Sequence, residues 1–361
     1  MKVIIRVDIS AEIGAGHLMR CVTLATALKE SGAQVHFICR SLPEPVRDLL
    51  SRQEFGFTLL DQASRNGKKN GSPPAQSARD FQEEDSGGTI RAIGGVNYDW
   101  LIVDHYGLDR QWESILNRRV NHLMVIDDLA DREHHCEILL DPTYGENSSR
   151  YECLVPADCR CLCGSEFALL RPQFSLNRQP GERVLPPGEK ARVHVFFGSS
   201  DTSNHTARFS RMLLVHFPSL SLSAVVGRDF KPVGQLEQLS VEFGTRFSWK
   251  ADLPDMAGSM KECDVALGAP GGTTWERACV GLPAAYLAVA KNQIPILERL
   301  ESSGLCVYLG EADGLDEGTF VAKMRTFLSD APALQGMRSV GMRAVDGHGT
   351  DRVVSAIRER W

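Results

Sequence analysis

Between positions 14 and 21 the chain reads Gly-Ala-Gly-His-Leu-Met-Arg-Cys, shortly after the apolar run Val3-Ile4-Ile5. A strand, a glycine turn and a helix start in that order bring backbone close to a ligand and aim the first helical N–H groups at it. Gly14 and Gly16 are the glycines of that turn, and His17 stands at its end. Histidine is the side chain that titrates near neutral pH without help, so one placed here could move a proton on whatever binds. A dinucleotide fingerprint does not fit. Met19 occupies the place of its third glycine, and the second strand, Val35 to Arg40, closes on arginine instead of an acid. A histidine with only a helix-capping role stays open as the alternative.

A second glycine loop, Gly268-Ala269-Pro270-Gly271-Gly272-Thr273-Thr274-Trp275-Glu276, also follows an apolar run and opens a helical pattern. Tyr106, in Asp104-His105-Tyr106-Gly107, follows a strand at its C-terminal end, where open α/β sheets build their sites. Its hydroxyl could orient water, or the ring could simply pack. Asp104 reads as a loop-fixing carboxylate before it reads as a base. Asp127-Asp128 has the look of a metal pair in some transferases, but no metal is expected, since hydroxyls and helix N-termini can stand in for a cation. No other cofactor is expected.

The chain has 361 residues, 43% hydrophobic and 24% charged, which suits an ordinary globular protein of two domains. A net charge of −6 offers no basic field for nucleic acid. No apolar run reaches bilayer length, and the strand-like N-terminus is no signal peptide, so a cytoplasmic address is expected. Ten cysteines include no Cys-x-x-Cys pair. Cys159, Cys161 and Cys163 alternate and share one face of a strand, which reads as buried, reduced thiols acting as small hydrophobes. His134, His135 and Cys136 are sequence neighbours, a poor set for one zinc.

Strands are predicted at 2–7, 34–39, 99–104, 122–126 and 137–140, with helices at 16–31, 44–53 and 109–118. That alternation implies a parallel, doubly wound sheet. From Asp61 to Gly95 the pattern dissolves into a tract poor in apolar residues, read as a mobile surface insertion. Residues 179–190, rich in proline and glycine, read as a linker. Beyond it come strands 192–197, 221–226, 244–248 and 264–267 and helices 203–216 and 253–262. The expected domains are 1–178, 191–345 and a separate C-terminal helix at 346–361. Two Rossmann-like halves of this kind would place a ligand in the cleft between them.

Six blocks taken together carry a resemblance. They are the Gly14–Cys21 stretch, Asp104-His105-Tyr106-Gly107-Leu108-Asp109 with Trp112-Glu113, and Ile126-Asp127-Asp128-Leu129-Ala130-Asp131-Arg132. The others are Phe197-Gly198-Ser199-Ser200-Asp201, Gly271-Gly272-Thr273-Thr274-Trp275-Glu276-Arg277 and Asn292-Gln293. In this order, from about residue 3 to about residue 300, the chain resembles the UDP-sugar hydrolases of pseudaminic acid biosynthesis. It departs from them in its Gly-Gly-Thr-Thr run, where a serine-rich version is expected, in Ser200, and in the longer 61–95 tract.

The resemblance implies an α/β protein of GT-B architecture that releases UDP from a UDP-linked 2,4-diacetamido-2,4,6-trideoxy sugar by water attack. UDP leaves readily, so the protein must supply a base for water and donors for charge growing on the β-phosphate. His17 would be the base, with Tyr106 as its catalytic partner. Gly14, Gly16, Gly271, Gly272, Thr273 and Thr274 would cradle the diphosphate, and Glu276 would take the ribose hydroxyls. Asn292 and Gln293 suit the sugar's N-acetyl groups. Ser199 could touch phosphate or, with Ser200, cap the helix that follows. No second carboxylate is evident beside His17, which implies direct displacement with inversion. A UDP-sugar glycosyltransferase of the same fold and a catalytically inactive nucleotide-sugar-binding protein remain the alternatives. The expected partner is the UDP-sugar alone, without nucleic acid or membrane insertion. Oligomeric state is not legible.

Overall fold

The structure is a computed structural model that describes residues 1–9, 16–61, 75–179, 181, 190–228 and 230–361. Gly14 and most of the 179–190 stretch lie outside the described residues. The chain divides into two compact units. Unit 1 is Met1–Leu169 with His348–Trp361, and unit 2 is Leu170–Gly347.

Unit 1 runs β1 (Lys2–Val7), α1 (Gly16–Glu30), β2 (Gln34–Cys39), α2 (Glu44–Arg52), β3 (Gly56–Leu59), α3 (Ala75–Ile93), β4 (Tyr98–Asp104), α4 (Arg110–Leu116), β5 (Val120–Ile126), β6 (Ile138–Asp141) and β7 (Arg160–Cys163). All seven strands are parallel, in the order β3-β2-β1-β4-β5-β6-β7. Apolar residues occupy both faces of the central strands, as a sheet covered by helices on both sides requires. Val3, Ile5 and Val7 join Trp100 and Ile102 in one core, while Ile4 joins Leu101 and Val103 in the other. The chain order turns back between β1 and β4, so the ends of these two strands flank the switch point where such sheets bind ligands.

Unit 2 runs α5 (Pro172–Leu176), β8 (Arg192–Phe196), α6 (His205–His216), β9 (Ser221–Val226), α7 (Val233–Phe243), β10 (Phe247–Ala251), α8 (Met256–Lys261), β11 (Val265–Gly268), α9 (Gly272–Val280), β12 (Ala284–Ala288), α10 (Ile294–Ser302), β13 (Val307–Glu311), α11 (Glu317–Ser329) and α12 (Ala331–Ala344). Its six parallel strands are ordered β10-β9-β8-β11-β12-β13, with the switch point between β8 and β11. Both units are therefore Rossmann-like.

Two expectations need correction. Residues 75–93 are not a loose insertion but the helix α3, and Asp85 and Thr89 on it are fully buried. The sequence pattern hides it because its buried face is polar. Arg6, also fully buried, lies on the α3 side of β1 and donates to Asp85 from Nη2 at 2.6 Å. Arg40 Nε and Trp112 Nε1 also donate to Asp85, at 2.7 and 3.0 Å. The second correction concerns the C-terminus. The helix α13 (Gly349–Arg358) is no separate appendage, since Val353, Val354, Ala356 and Ile357 complete the core that contains Leu18 and Val3. A Cβ on Gly349 would come within 2.4 Å of Ala168 O, so only glycine allows this approach. By the same packing, residues 170–178 go with unit 2. Among the described residues no helix is long and apolar enough to cross a membrane.

Burial alone would raise the Asp85 carboxyl, but the Arg6 and Arg40 guanidinium groups outweigh it and hold the carboxyl low. The stability it lends is thus present above about pH 4 and is lost as pH falls through the folded-state value. Asp85→Ala should destabilise unit 1 by about 3–5 kcal/mol, the cost of stranding a buried cation. Urea titration reads this directly, and a loss below about 1 kcal/mol, the range for exposed pairs, would show that the network is not structural.

Candidate active site

At the switch point of unit 1, three strand ends deliver polar groups. Asp104 is the last residue of β4, with its side chain fully buried, and His17 is the second residue of α1. His17 Nδ1 lies 2.5 Å from Asp104 Oδ1. Arg20, one turn further along α1, donates to both oxygens of Asp104, from Nε and Nη2, each at 2.7 Å. Its Nη1 reaches Asp128 Oδ2 at 3.1 Å, just beyond β5. Tyr106 Oη donates to the other oxygen of Asp128 at 2.7 Å, and its ring meets the His17 ring edge-on with centroids 4.6 Å apart. Arg20 therefore clamps two carboxylates, one holding the imidazole and one holding the phenol.

This geometry settles the tautomer. Burial would raise the Asp104 carboxyl, but the Arg20 charge and the hydrogen bonds from Arg20 and His17 outweigh it and hold the group well below the usual carboxylate range. An ionised carboxylate only accepts, so His17 Nδ1 must carry the proton it shares with Asp104. The 3.1 Å approach of Arg20 Nη2 to the same nitrogen sets two donors side by side, both facing one oxygen. In the neutral imidazole Nε2 is then the nitrogen with the lone pair, the form a general base needs. Burial, then the Asp128 charge, pushes the Tyr106 phenol upward, so it remains a neutral hydroxyl whose oxygen can still accept. The carboxylate that seemed missing beside His17 is thus present. Asp104 is enclosed and held by Arg20 on both oxygens, which makes it an orienting group and not a nucleophile.

Asp127 turns the other way. It is buried, accepts the Ala130 N–H at 2.9 Å and the Tyr151 hydroxyl at 3.0 Å, and pairs with Arg132 at 2.9 Å, which fixes the loop after β5. Asp8, just past β1, accepts from Arg6 Nη1, Arg6 Nη2 and the Arg40 N–H at 2.6–2.8 Å and from His105 Nε2 at 3.2 Å. The strand end leading into the glycine turn is therefore anchored to β2 and β4. Gly16 opens α1 and is exposed, with no atom within 4 Å of where a Cβ would stand.

In unit 2 the second glycine turn lies at the β8/β11 switch point. Gly271 has φ +145°, a conformation that side chains resist, and both Gly271 and Gly272 are exposed at the start of α9. Thr274 is buried, and its hydroxyl accepts the Gly271 N–H at 3.2 Å, so it closes the turn; Thr273 is the half-exposed hydroxyl. Glu276 keeps 17% of its side chain exposed and accepts from Arg171 Nη2 at 3.3 Å. Burial raises its carboxyl, with Arg171 pulling the other way. Gln293 Oε1 accepts the Val289 N–H at 2.9 Å and so ties the loop before α10, whereas Asn292 is exposed. Ser199 and Ser200 are exposed and leave the start of α6 to the N-cap Asn204, whose side chain accepts the Ala207 N–H at 3.4 Å, and to Asp201, which takes the N–H groups of His205 and Thr206 at 2.9 and 2.8 Å. Sequence reasoning missed Arg20 and gave Asp128 only a metal reading. The available signal was the three-residue spacing of His17 and Arg20, which puts them on one helix face.

No protein-family model matches the chain. Over 174 residues it is 29% identical to the UDP-2,4-diacetamido-2,4,6-trideoxy-β-L-altropyranose hydrolase of Campylobacter jejuni, a match covering 48% of this chain and 53% of that protein. The chain thus spans about half the length of that relative. It is 22% identical over 276 residues to the spore coat polysaccharide biosynthesis protein SpsG of Bacillus subtilis, covering 75% of this chain and 80% of that one. Among solved structures, MurG of Acinetobacter baumannii superposes with TM-score 0.67 at 13% identity, over 99% of this chain and 100% of that one. The calicheamicin glycosyltransferase CalG4 gives 0.61 at 13%, over 100% and 98%. A UDP-N-acetylglucosamine 2-epimerase gives 0.61 at 12%, over 99% and 94%. The chain has the GT-B fold, and it is a distant relative of sugar-biosynthesis proteins. Since transferases and an epimerase share this fold, the chemistry has to be argued from the site.

The tautomer is directly measurable. In ¹⁵N-labelled protein at neutral pH, His17 should show its proton on Nδ1, and a proton on Nε2 would overturn the assignment. In an Arg20→Met variant, burial should prevail at Asp104, and its carboxyl resonance should titrate at distinctly higher pH than in the unaltered protein.

Proposed function

We propose that this protein is a nucleotide-sugar hydrolase that releases UDP from a UDP-linked 2,4-diacetamido-2,4,6-trideoxy sugar, a reading supported by its similarity to a Campylobacter protein named as a hydrolase of such a sugar. The observation that carries the reading is the His17–Asp104 pair with Nε2 left as a base. In this mechanism Nε2 takes a proton from water as the water oxygen attacks the anomeric carbon, and the bond from that carbon to the UDP oxygen breaks. Asp104 holds the imidazole and balances the positive charge that forms on it, while the Tyr106 oxygen accepts a hydrogen bond from the same water. Unit 2 holds the nucleotide. The Gly272 N–H and the Thr273 hydroxyl meet the diphosphate at the α9 N-terminus, where the bare backbone of Gly271 allows close approach, and Glu276 takes the ribose hydroxyls. Asn292 and Gln293 face the acetamido groups. Single displacement inverts the anomeric centre.

The deciding experiment supplies the UDP-sugar with no acceptor. A hydrolase turns over, whereas a glycosyltransferase needs a second substrate and an inactive binding protein yields no UDP. In ¹⁸O-labelled water the label should enter the free sugar and not UDP, and early NMR spectra should show the inverted anomer. His17→Leu should slow turnover by roughly 10²–10⁴-fold. Activity should survive chelation, and loss restored by magnesium would bring Asp128 back as a ligand.

Nucleotide binding is tested separately. Glu276→Ala should weaken UDP binding by roughly 1.5–3 kcal/mol in calorimetry, the worth of a hydrogen bond to a charged group. Unchanged affinity would place Glu276 outside the ribose site.

A further inference from the structure

The thiols of unit 1 are not the inert, buried set that alternation implied. Cys159, Cys161 and Cys163 are only half-buried, on and just before β7, the edge strand of the sheet, while Cys136 is buried just before β6. Cys136 Sγ and Cys159 Sγ lie 3.8 Å apart. The Arg160 N–H donates to Glu137 O at 2.9 Å and Arg160 pairs with Ile138, so Cys136 lies one residue off the position opposite Cys159 on the neighbouring segment. Strands about 4.8 Å apart with an offset of about 3.3 Å set the two Cα atoms roughly 6 Å apart, within the separation a disulfide accepts. The pairs Cys159–Cys161 and Cys161–Cys163 are less suitable, because residues two apart on one strand stand too far apart at Cβ.

We propose that Cys136 and Cys159 form an oxidation site, which a two-electron oxidant of the hydrogen peroxide class converts to a reversible disulfide. The half-exposed Cys159 sulfur takes one oxygen from peroxide and becomes a sulfenic acid, releasing one water. The Cys136 thiol then attacks that sulfur. The S–S bond forms as the S–O bond breaks, and the departing hydroxide leaves as a second water with the Cys136 proton. Overall two thiols lose two electrons and two protons, and one peroxide becomes two waters.

The test treats the full-length protein with stoichiometric peroxide, blocks remaining thiols by alkylation and maps peptides by mass spectrometry. The expected product is a Cys136–Cys159 cross-linked peptide that dithiothreitol reverses, with a Tm raised by roughly 5–10 °C. Cys136→Ser should abolish the cross-link and leave a sulfenic acid on Cys159 that dimedone traps. Cys161→Ser should leave the Cys136–Cys159 cross-link in place. Oxygen added to Cys161 with no cross-link, a link through Cys153 or Cys163, or no oxidation at all would overturn the proposal. If the serine variants do not fold, the peptide map of the unaltered protein decides alone.

Discussion

A carboxylate with no exposure to water cannot stay ionised unless the chain supplies a cation and donors to it, and Asp104 receives the Arg20 guanidinium and the His17 ring N–H. Much of unit 1 follows from that requirement. Both groups come from α1, so the helix must start where its first turn overlies the end of β4. Arg20 has a second hand free for Asp128, and through it Tyr106 is fixed edge-on to the imidazole. One buried negative charge thus organises a helix start, a loop and a phenol.

A second buried ionic cluster lies beside it on the same strands. Arg6, Asp8, Arg40 and Asp85 bind the ends of β1 and β2 to α3, and His105 joins through Asp8. Buried ions of this kind are poor sources of net stability, because desolvation cancels much of the attraction. Their value is geometric. The network fixes the strand ends on either side of the glycine turn, so His17 rests on a framework that packing of apolar side chains alone would leave free to slide.

The parts of the fold written in local pattern were legible in the sequence. Apolar runs located β1, β2 and β4 to within a residue, and the glycine loops marked both helix starts at the switch points. What escaped was long-range and polar. His17 and Asp104 are 87 positions apart, and nothing local to either names the other. The α3 helix carries Gly87-Gly88 and few large apolar residues, so its burial is visible only once Arg6 is known to face it. Thr274 looked like a ligand hydroxyl and proves to be a cap, since the two roles call for the same residue at the same place. The thiol row was correctly set on one strand face, but alternation does not tell an edge strand from a central one.

The return of α13 to unit 1 has a temporal meaning. Val353 and Ile357 close a core whose other members begin at Val3, so unit 1 is discontinuous and unit 2 is inserted into it between Leu169 and His348. A ribosome makes the chain in order, and every residue of unit 2 is polymerised before that last helix exists. Unit 2 can fold as a continuous piece while unit 1 waits with an open apolar face over α1, the helix that carries His17. The catalytic candidate is therefore translated well before the helix that completes its support. Emergence of α13, rather than of the sheet that carries Asp104, is the moment at which this site acquires that support.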